Sequence, residues 1–334
     1  MTGLQVHQVG PGVAVQDFGR PGFLAKGLTR GGAADLLAVH EGAALLRQSP
    51  ECAVLEMVGT GGTFEATQDM RVAFTGAAMT VSIDGDAVAW NASHVLPAGA
   101  QLVIGPTRDG TYGYLHVGGG FATDLVLGAR ATHQSTGLGA LIAAGDFLPV
   151  GGGDGAVGLT LPRDPRFAGG QVRIVPSMQT LDFDIDTRQR FEKTVFKRDP
   201  RANRQGVRMD SDQGFSNPDQ LSVVSEVIVP GDIQIAGDGA PFVLLAESQT
   251  TGGYPRIGTV LPCDLPRVVQ APAGAELRFS FVTLEEGIAI QARADTTWGA
   301  LRKAVTPLVR DPATMQDLLS YQLVDGVVSA LDEG

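Results

Sequence analysis

Apolar residues in this chain come in short runs of strand length, broken by glycine, proline and small polar residues at intervals of about ten positions. In the first half the pattern predicts strands over 53–58, 71–75, 79–83, 87–90, 101–104 and 112–117, with Asp84-Gly85 as a hairpin turn. One stretch has helical spacing instead: Leu36, Leu37, Val39, His40, Ala43, Ala44 and Leu46, ended by Ser49-Pro50. The second half repeats this grammar, with a strand at 171–175, a helix near 185–194, and strands at 223–229, 232–236, 241–246, 257–261, 267–270, 276–283 and 288–291. The glycine- and proline-rich stretch 151–170 reads as the boundary between the halves. Beyond Thr296, Asp311-Pro312 forms an N-cap pair before Met315, Leu318, Leu319 and Leu323, which predicts an amphipathic helix packed on the body or on a partner. The expectation is a mainly β protein in three parts: 1–160, 161–295 and a helical extension, 296–334.

Composition narrows the classes of function. The 334 residues carry 45 glycines and 19 prolines, in keeping with many tight turns. A net charge of −11 argues against nucleic acid, whose binding needs basic side chains to neutralise phosphates. At 43% apolar residues and a mean hydropathy of +0.09, no run approaches membrane-spanning length. The opening MTGLQVHQVG has no export-signal pattern, so the expected location is cytoplasmic. The two cysteines, Cys52 and Cys263, lie in different halves and suggest buried small hydrophobes rather than a disulfide or metal pair.

Candidate chemistry gathers in loops. Gln249-Thr250-Thr251-Gly252-Gly253-Tyr254-Pro255-Arg256 sits between two expected strands and offers an amide, two hydroxyls, a phenol and a guanidinium. Its glycines permit positive φ and close backbone approach, so the segment is either a ligand-binding loop or a turn. Asp17 and Arg20, between Gly12 and Gly22, are a second such pair, readable as a site or as turn bracing. Arg201, Arg204 and Arg208 among small residues form an anion-binding candidate or a solvated face beside Asp210 and Asp212. Gly118-Gly119-Gly120 is either a ligand approach or a bulge. Gly153, Gly155 and Gly158 fit a dinucleotide fingerprint, but Leu159-Thr-Leu-Pro162 cannot supply the helix it requires. The five histidines are far apart, so no local metal motif is visible, and no P-loop lysine or biotinyl Met-Lys-Met occurs.

Three segments carry a resemblance to a known family: Val15-Gln16-Asp17-Phe18-Gly19-Arg20-Pro21-Gly22, then Val224-Ser225-Glu226 through Gly231-Asp232-Ile233-Gln234-Ile235, and Leu244 through Ile257 around the Gln249 loop. They resemble the carboxyltransferase-domain family that includes KipA, the C component of prokaryotic 5-oxoprolinase, the proteins labelled allophanate hydrolase subunit 2, and part of urea carboxylase (the urea amidolyase-related proteins). The resemblance covers about residues 5 to 290 and implies two tandem cyclophilin-like β-barrel subdomains. Where relatives have Ser-Gly-Ala-Met-Asp this chain has Gly31-Gly32-Ala33-Ala34-Asp35, and Ala202-Asn203-Arg204-Gln205-Gly206 replaces Ser-Asp-Arg-Met-Gly. The implied function is one subunit of an ATP-dependent hydrolase of cyclic amides, opening 5-oxoproline to glutamate. In that setting Asp17, Gln249, Thr250 and Tyr254 are the expected catalytic residues. Arg20, Arg204, Arg208, Thr251, Gly252, Gly253 and Arg256 are the expected substrate-binding residues, and no metal is expected. ATP would act through a multi-subunit complex with KipI-like and LamB/YcsF-like partners. The alternatives are carboxyl transfer from carboxybiotin to urea or a related amide, and KipA-like antagonism of a KipI-like kinase inhibitor.

Overall fold

A computed structural model describes residues 2–216 and 224–309. The expected helix around Met315–Leu323 therefore lies outside the described residues, as does position 223 of the expected strand 223–229. The mainly β architecture is as anticipated. In the first half, alternating residues build two antiparallel sheets that face each other. One has six strands in the spatial order Phe147–Pro149, Gly3–Val9, Gly62–Ala66, Gln101–Thr107, Met79–Ile83 and Asp86–Ala87. The other has five: Ala14–Gln16, Val54–Val58, Tyr112–Val117, Met70–Gly76 and Ser93–Leu96. Their inward residues, among them Leu4, Phe64, Leu102, Leu55, Phe74 and Leu115, fill one core. Asp84 and Gly85 both take positive φ (48° and 89°), as the primed hairpin turn requires.

The second half closes on itself. Seven strands, Gly170–Val175, Arg256–Val260, Asp232–Ile235, Pro241–Leu244, Gly206–Asp210, Phe196–Arg198 and Glu276–Phe281, form a barrel in that order, and the last pairs in parallel with the first. Closure leaves no free sheet edge. The helix Ile185–Lys193 buries one residue, Phe191, whose ring packs 5.0 Å from Phe196 and 5.3 Å from Phe215. Asp184 caps this helix by accepting from the Thr187 amide.

The halves are joined through α1 (Leu36–Leu45), and the helix just described is α2. Asp35 caps α1 by accepting from the Ala38 amide at 3.0 Å, and its other oxygen accepts from Arg166 Nε (2.7 Å) and Gln270 Nε2 (2.8 Å) of the second half. Arg166 also makes a bidentate pair with Glu41 at 2.9 and 2.7 Å. Burial works against the charge on Arg166, but Asp35 and Glu41 outweigh it and hold the guanidinium above its ordinary range. On its other side α1 lies on the five-stranded sheet, where Gly42 makes room for the His116 ring; a Cβ there would stand 2.2 Å from it. Among the described residues no helix is long and apolar enough to cross a membrane.

Two expected strands are helices. Residues 267–270 belong to α3 (Leu265–Gln270), where Pro266 sits in the first turn and removes an amide that would otherwise be orphaned. Residues 288–291 lie inside α4 (Leu284–Gly299), which opens on a reciprocal capping box between Thr283 and Glu286. In both cases the start signal decides the structure over a short apolar run. The stretch after Gly155 contains no helix before Pro162, only the two-residue strand Leu159–Thr160. The Gly118–Gly120 bend meets backbone rather than open space: a Cβ on Gly119 would come within 2.5 Å of the Gly152 carbonyl.

His116 is fully buried, its Nε2 2.7 Å from the Thr75 hydroxyl, and burial pushes its pKa down to about 3. An unfolded histidine protonates near 6.5. Stability is therefore complete above about pH 6.5 and falls as the pH drops toward 3, because only the unfolded state takes up the proton. Between pH 7 and about pH 4.5 this one group removes about 3 kcal/mol. Urea midpoints at the two pH values should show His116→Gln losing correspondingly less than wild type; an identical pH dependence would refute the assignment.

Candidate functional site

The segment 15–20 acts as a cradle. The Gln16 side-chain amide donates to the Thr132 carbonyl (3.0 Å), and the Thr132 amide donates back to the Val15 carbonyl (2.9 Å). Asp17 accepts from the Gly19 amide with one oxygen and the Arg130 amide with the other, both at 2.7 Å. Arg20 is 1% exposed and donates to the carbonyls of Val126 and Ala131. Burial lowers its pKa, against the pull of Asp17 and Glu247. Asp17 and Arg20 thus hold backbone, while Arg20 Nη1 is buried without a hydrogen-bond partner among the described residues. The strand of chain they hold, residues 126–132, leads directly into His133.

His133 is buried and ringed by hydroxyls. Its Nε2 is 3.0 Å from Thr29 Oγ1, and its Nδ1 is 3.0 Å from Thr136 Oγ1 and 3.2 Å from Ser135 Oγ. Burial lowers its pKa, and Arg20 and Arg204 add to the effect while Glu247 opposes it, so the ring is neutral near pH 7. Gly31 (φ 64°) leaves the ring its space, since a Cβ there would stand 2.9 Å from His133 Cδ2.

Glu247 closes the site from the second half. One oxygen accepts from the Ser135 amide at 2.9 Å and lies 3.8 Å from His133 Nδ1. The other accepts from Arg204 Nε at 2.5 Å. Arg204 spends its remaining nitrogens on Glu56 and the Gly32 carbonyl, both across the junction. Glu56 in turn accepts from the Tyr114 hydroxyl and the Ala34 amide, each at 2.8 Å. Burial opposes the ionisation of Glu247, but Arg204 and the Ser135 amide offset this and keep the carboxyl below its usual range. Asn203 shapes the Arg204 turn by accepting from the amides of Gln205 and Gly206. Each nitrogen of Arg204 therefore has one protein acceptor.

These segments enclose a cleft of about 320 Å³. Thr29, His133, Ser135 and Thr136 line it from the first half, and Glu247, Gln249, Thr250 and Thr251 from the second. The expected trio Gln249, Thr250 and Thr251 is thus brought together, whereas Tyr254 opens onto an adjoining cleft. Arg256 is committed to Gln179, Val227, Asp232 and Glu226, and Arg208 to Asp210 and Asp238. Neither lines this cleft. Gly252 and Gly253 are not in the left-handed region; Gly252 is needed for space, because a Cβ would meet Gln234 Nε2 at 2.3 Å. Thr29, His133, Ser135, Thr136 and Glu247 were not singled out as site residues in the sequence. The available signals were the turn His133-Gln-Ser-Thr-Gly137 and the place of Glu247 two residues before Gln249. Among the described residues no cluster of three or more His, Cys, Asp or Glu is arranged to hold a metal ion.

Comparison with known proteins places the chain among relatives. Residues 26–281 match the family model described as carboxyltransferase domain, subdomain A and B. The chain is 30% identical over 305 residues to the C component of 5-oxoprolinase from Escherichia coli (strain K12), covering 87% of this chain and 94% of that one. For the Haemophilus influenzae protein of the same name, identity is 28% over 295 residues, with 87% and 95% covered. Among solved structures, TTHA0988 superposes with a TM-score of 0.76 at 27% identity over 84% of this chain, which spans 55% of that protein. The urea carboxylase of Kluyveromyces lactis gives 0.81 over 93% of this chain at 18% identity, a likeness of fold, and this chain spans 31% of it.

Arg204→Met should unfold at markedly lower urea, because it leaves Glu56 and Glu247 buried without their cation. Breaking such a buried pair costs roughly 3–5 kcal/mol. A midpoint within experimental error of wild type would show that the junction does not depend on Arg204.

Proposed function

Since the chain belongs to the carboxyltransferase-domain family, subdomains A and B, we propose that it serves as the C component of a 5-oxoprolinase-type assembly and takes part in opening a cyclic amide. The observation that carries this reading is the match along nearly the whole length of the C component of 5-oxoprolinase, at 30% identity. The cleft at the junction is where that chemistry would occur.

In lactam opening the ring C–N bond breaks, the carbonyl carbon gains the oxygen of water and the nitrogen gains a proton. Gln249, Thr250 and Thr251 supply side-chain donors on one wall to orient the carbonyl. On the facing wall Ser135, exposed to solvent, touches the Nδ1 of a neutral imidazole. With Nε2–H donated to Thr29, Nδ1 accepts the hydroxyl proton, so Ser135 and His133 form a relay. Glu247 keeps the relay in register through the Ser135 amide.

The cleft does not suit ATP. Its lining has one carboxylate and no lysine or arginine, which is unsuited to a triphosphate. On this reading nucleotide chemistry belongs to other subunits, of the KipI-like and LamB/YcsF-like kinds the resemblance implies, within the same cytoplasmic complex.

The test is reconstitution with the subunits encoded beside this chain, measuring glutamate released from 5-oxoproline with ATP. Release should require this chain. His133→Asn should lower kcat by roughly 10²-fold, the lower range for general acid–base groups, while Arg208→Ala should stay within about twofold, as for a surface change away from the site. No release from the complete assembly, or full activity in His133→Asn, would reject the reading.

A further inference from the structure

Next to the His133 cleft lies a second one, of about 360 Å³, lined by Ile228, Gln234, Phe242, Leu244, Ser248 and Tyr254 among others. The two share Gln205, Ser248 and Gln249 as a common wall. Two polar groups lining the second cleft stand out. Gln234 is 8% exposed and Ser248 4%, yet among the described residues neither Gln234 Nε2 nor Ser248 Oγ has a hydrogen-bond partner. Buried polar groups are nearly always paired, and leaving one unpaired costs stability. Here two occur on the walls of the same cavity.

The fold also protects this arrangement. Gln234 lies on the barrel strand Asp232–Ile235, and the Thr251–Gly252 backbone crosses close to its amide. Any side chain at position 252 would strike Nε2. One part of the wall is apolar, from Ile228, Ala236, Phe242 and Leu244; Arg201, Asn203, Gln205 and Gln249 make the rest polar, and Tyr254 is 47% exposed.

We infer that this cleft is a binding site for a small carbonyl or carboxylate compound with an apolar body, its oxygen accepting from Gln234 Nε2 and Ser248 Oγ and its body lying on Phe242 and Ile228. The two unpaired donors define the acceptor, and the apolar patch of Ile228, Ala236, Phe242 and Leu244 defines the body that packs against it. The assignment stands apart from the reading as a 5-oxoprolinase component, since it rests on this cleft alone.

Ligand-observed NMR on the full chain tests it with three probes of similar size: 2-pyrrolidinone (neutral), cyclopentanecarboxylate (anionic) and methylcyclopentane (no oxygen). At least one oxygenated probe should bind, methylcyclopentane should bind at least tenfold more weakly, and the tighter of the first two identifies the ligand as amide or acid. Gln234→Met should weaken that probe at least tenfold while leaving the urea midpoint equal or higher, because it removes an unpaired buried amide. Ser248→Ala should weaken it too, and provides the same test if the first variant misfolds. The inference fails if neither oxygenated probe binds below about 10 mM, if methylcyclopentane binds equally well, if both variants bind as wild type does, or if Gln234→Met lowers the midpoint.

Discussion

The junction depends on Arg204 and the two carboxylates it holds. Glu56 comes from the five-stranded sheet and Glu247 from just beyond the end of a barrel strand, and one guanidinium from the barrel satisfies both. Three ionised groups out of water are tolerable only when every charge has a close partner and the remaining lone pairs are taken. That condition is met by Tyr114, by the amides of Ala34 and Ser135, and by the Gly32 carbonyl. The arrangement therefore fixes the relative placement of the halves more strictly than apolar contact would. A hydrophobic seam can slide, whereas this one has a single register. The chain of contacts continues through the Asp35 amide on Tyr114 to Arg166, Glu41 and Gln270, so α1 is tied to it as well.

The site inherits its order from that junction. Glu247 faces Arg204 with one oxygen and the His133 turn with the other, so the group that holds the halves together also places the Ser135 amide. From the opposite side the 15–20 cradle grips residues 126–132 by their backbone. Five hydrogen bonds, involving Val15, Gln16, Asp17 and Arg20, leave little freedom in where His133 can point. The longest sequence motif of the first half thus serves the site at one remove.

This explains how far the sequence could be read. Strand spacing, the Asp84-Gly85 turn, α1 and α2 were legible because each is set by local pattern. The α3 and α4 segments were misread because Val268-Val269 and Ile288-Ala-Ile290 are too short to show a 3.6-residue period, and the deciding signals were Pro266 and the Thr283–Glu286 box. The Gln249 loop was found because its polar groups are contiguous. Asp17 and Arg20 read as catalytic and substrate-binding candidates, since the backbone groups of Val126, Arg130 and Ala131 that they hold are over a hundred positions away and no side-chain pattern reveals them. His133 escaped for the converse reason. Thr29, Ser135, Thr136 and Glu247 come from three separate segments, and only folding makes them a constellation.

The electrostatics of the two clefts bear on what each can hold. In the first, the carboxylate is already paired and the imidazole is neutral, so the walls carry little net charge. Such a surface discriminates by hydrogen-bond geometry and favours a neutral amide over a strongly charged group. It can orient a carbonyl and pass a proton, but it cannot by itself neutralise the charge of a phosphorylated intermediate. If lactam opening proceeds here, activation of the unreactive carbonyl has to reach the cleft from outside this chain, which fits a protein whose relatives are named as subunits. The barrel-end cleft differs, since its unpaired donors at Gln234 and Ser248 are a standing cost to the fold.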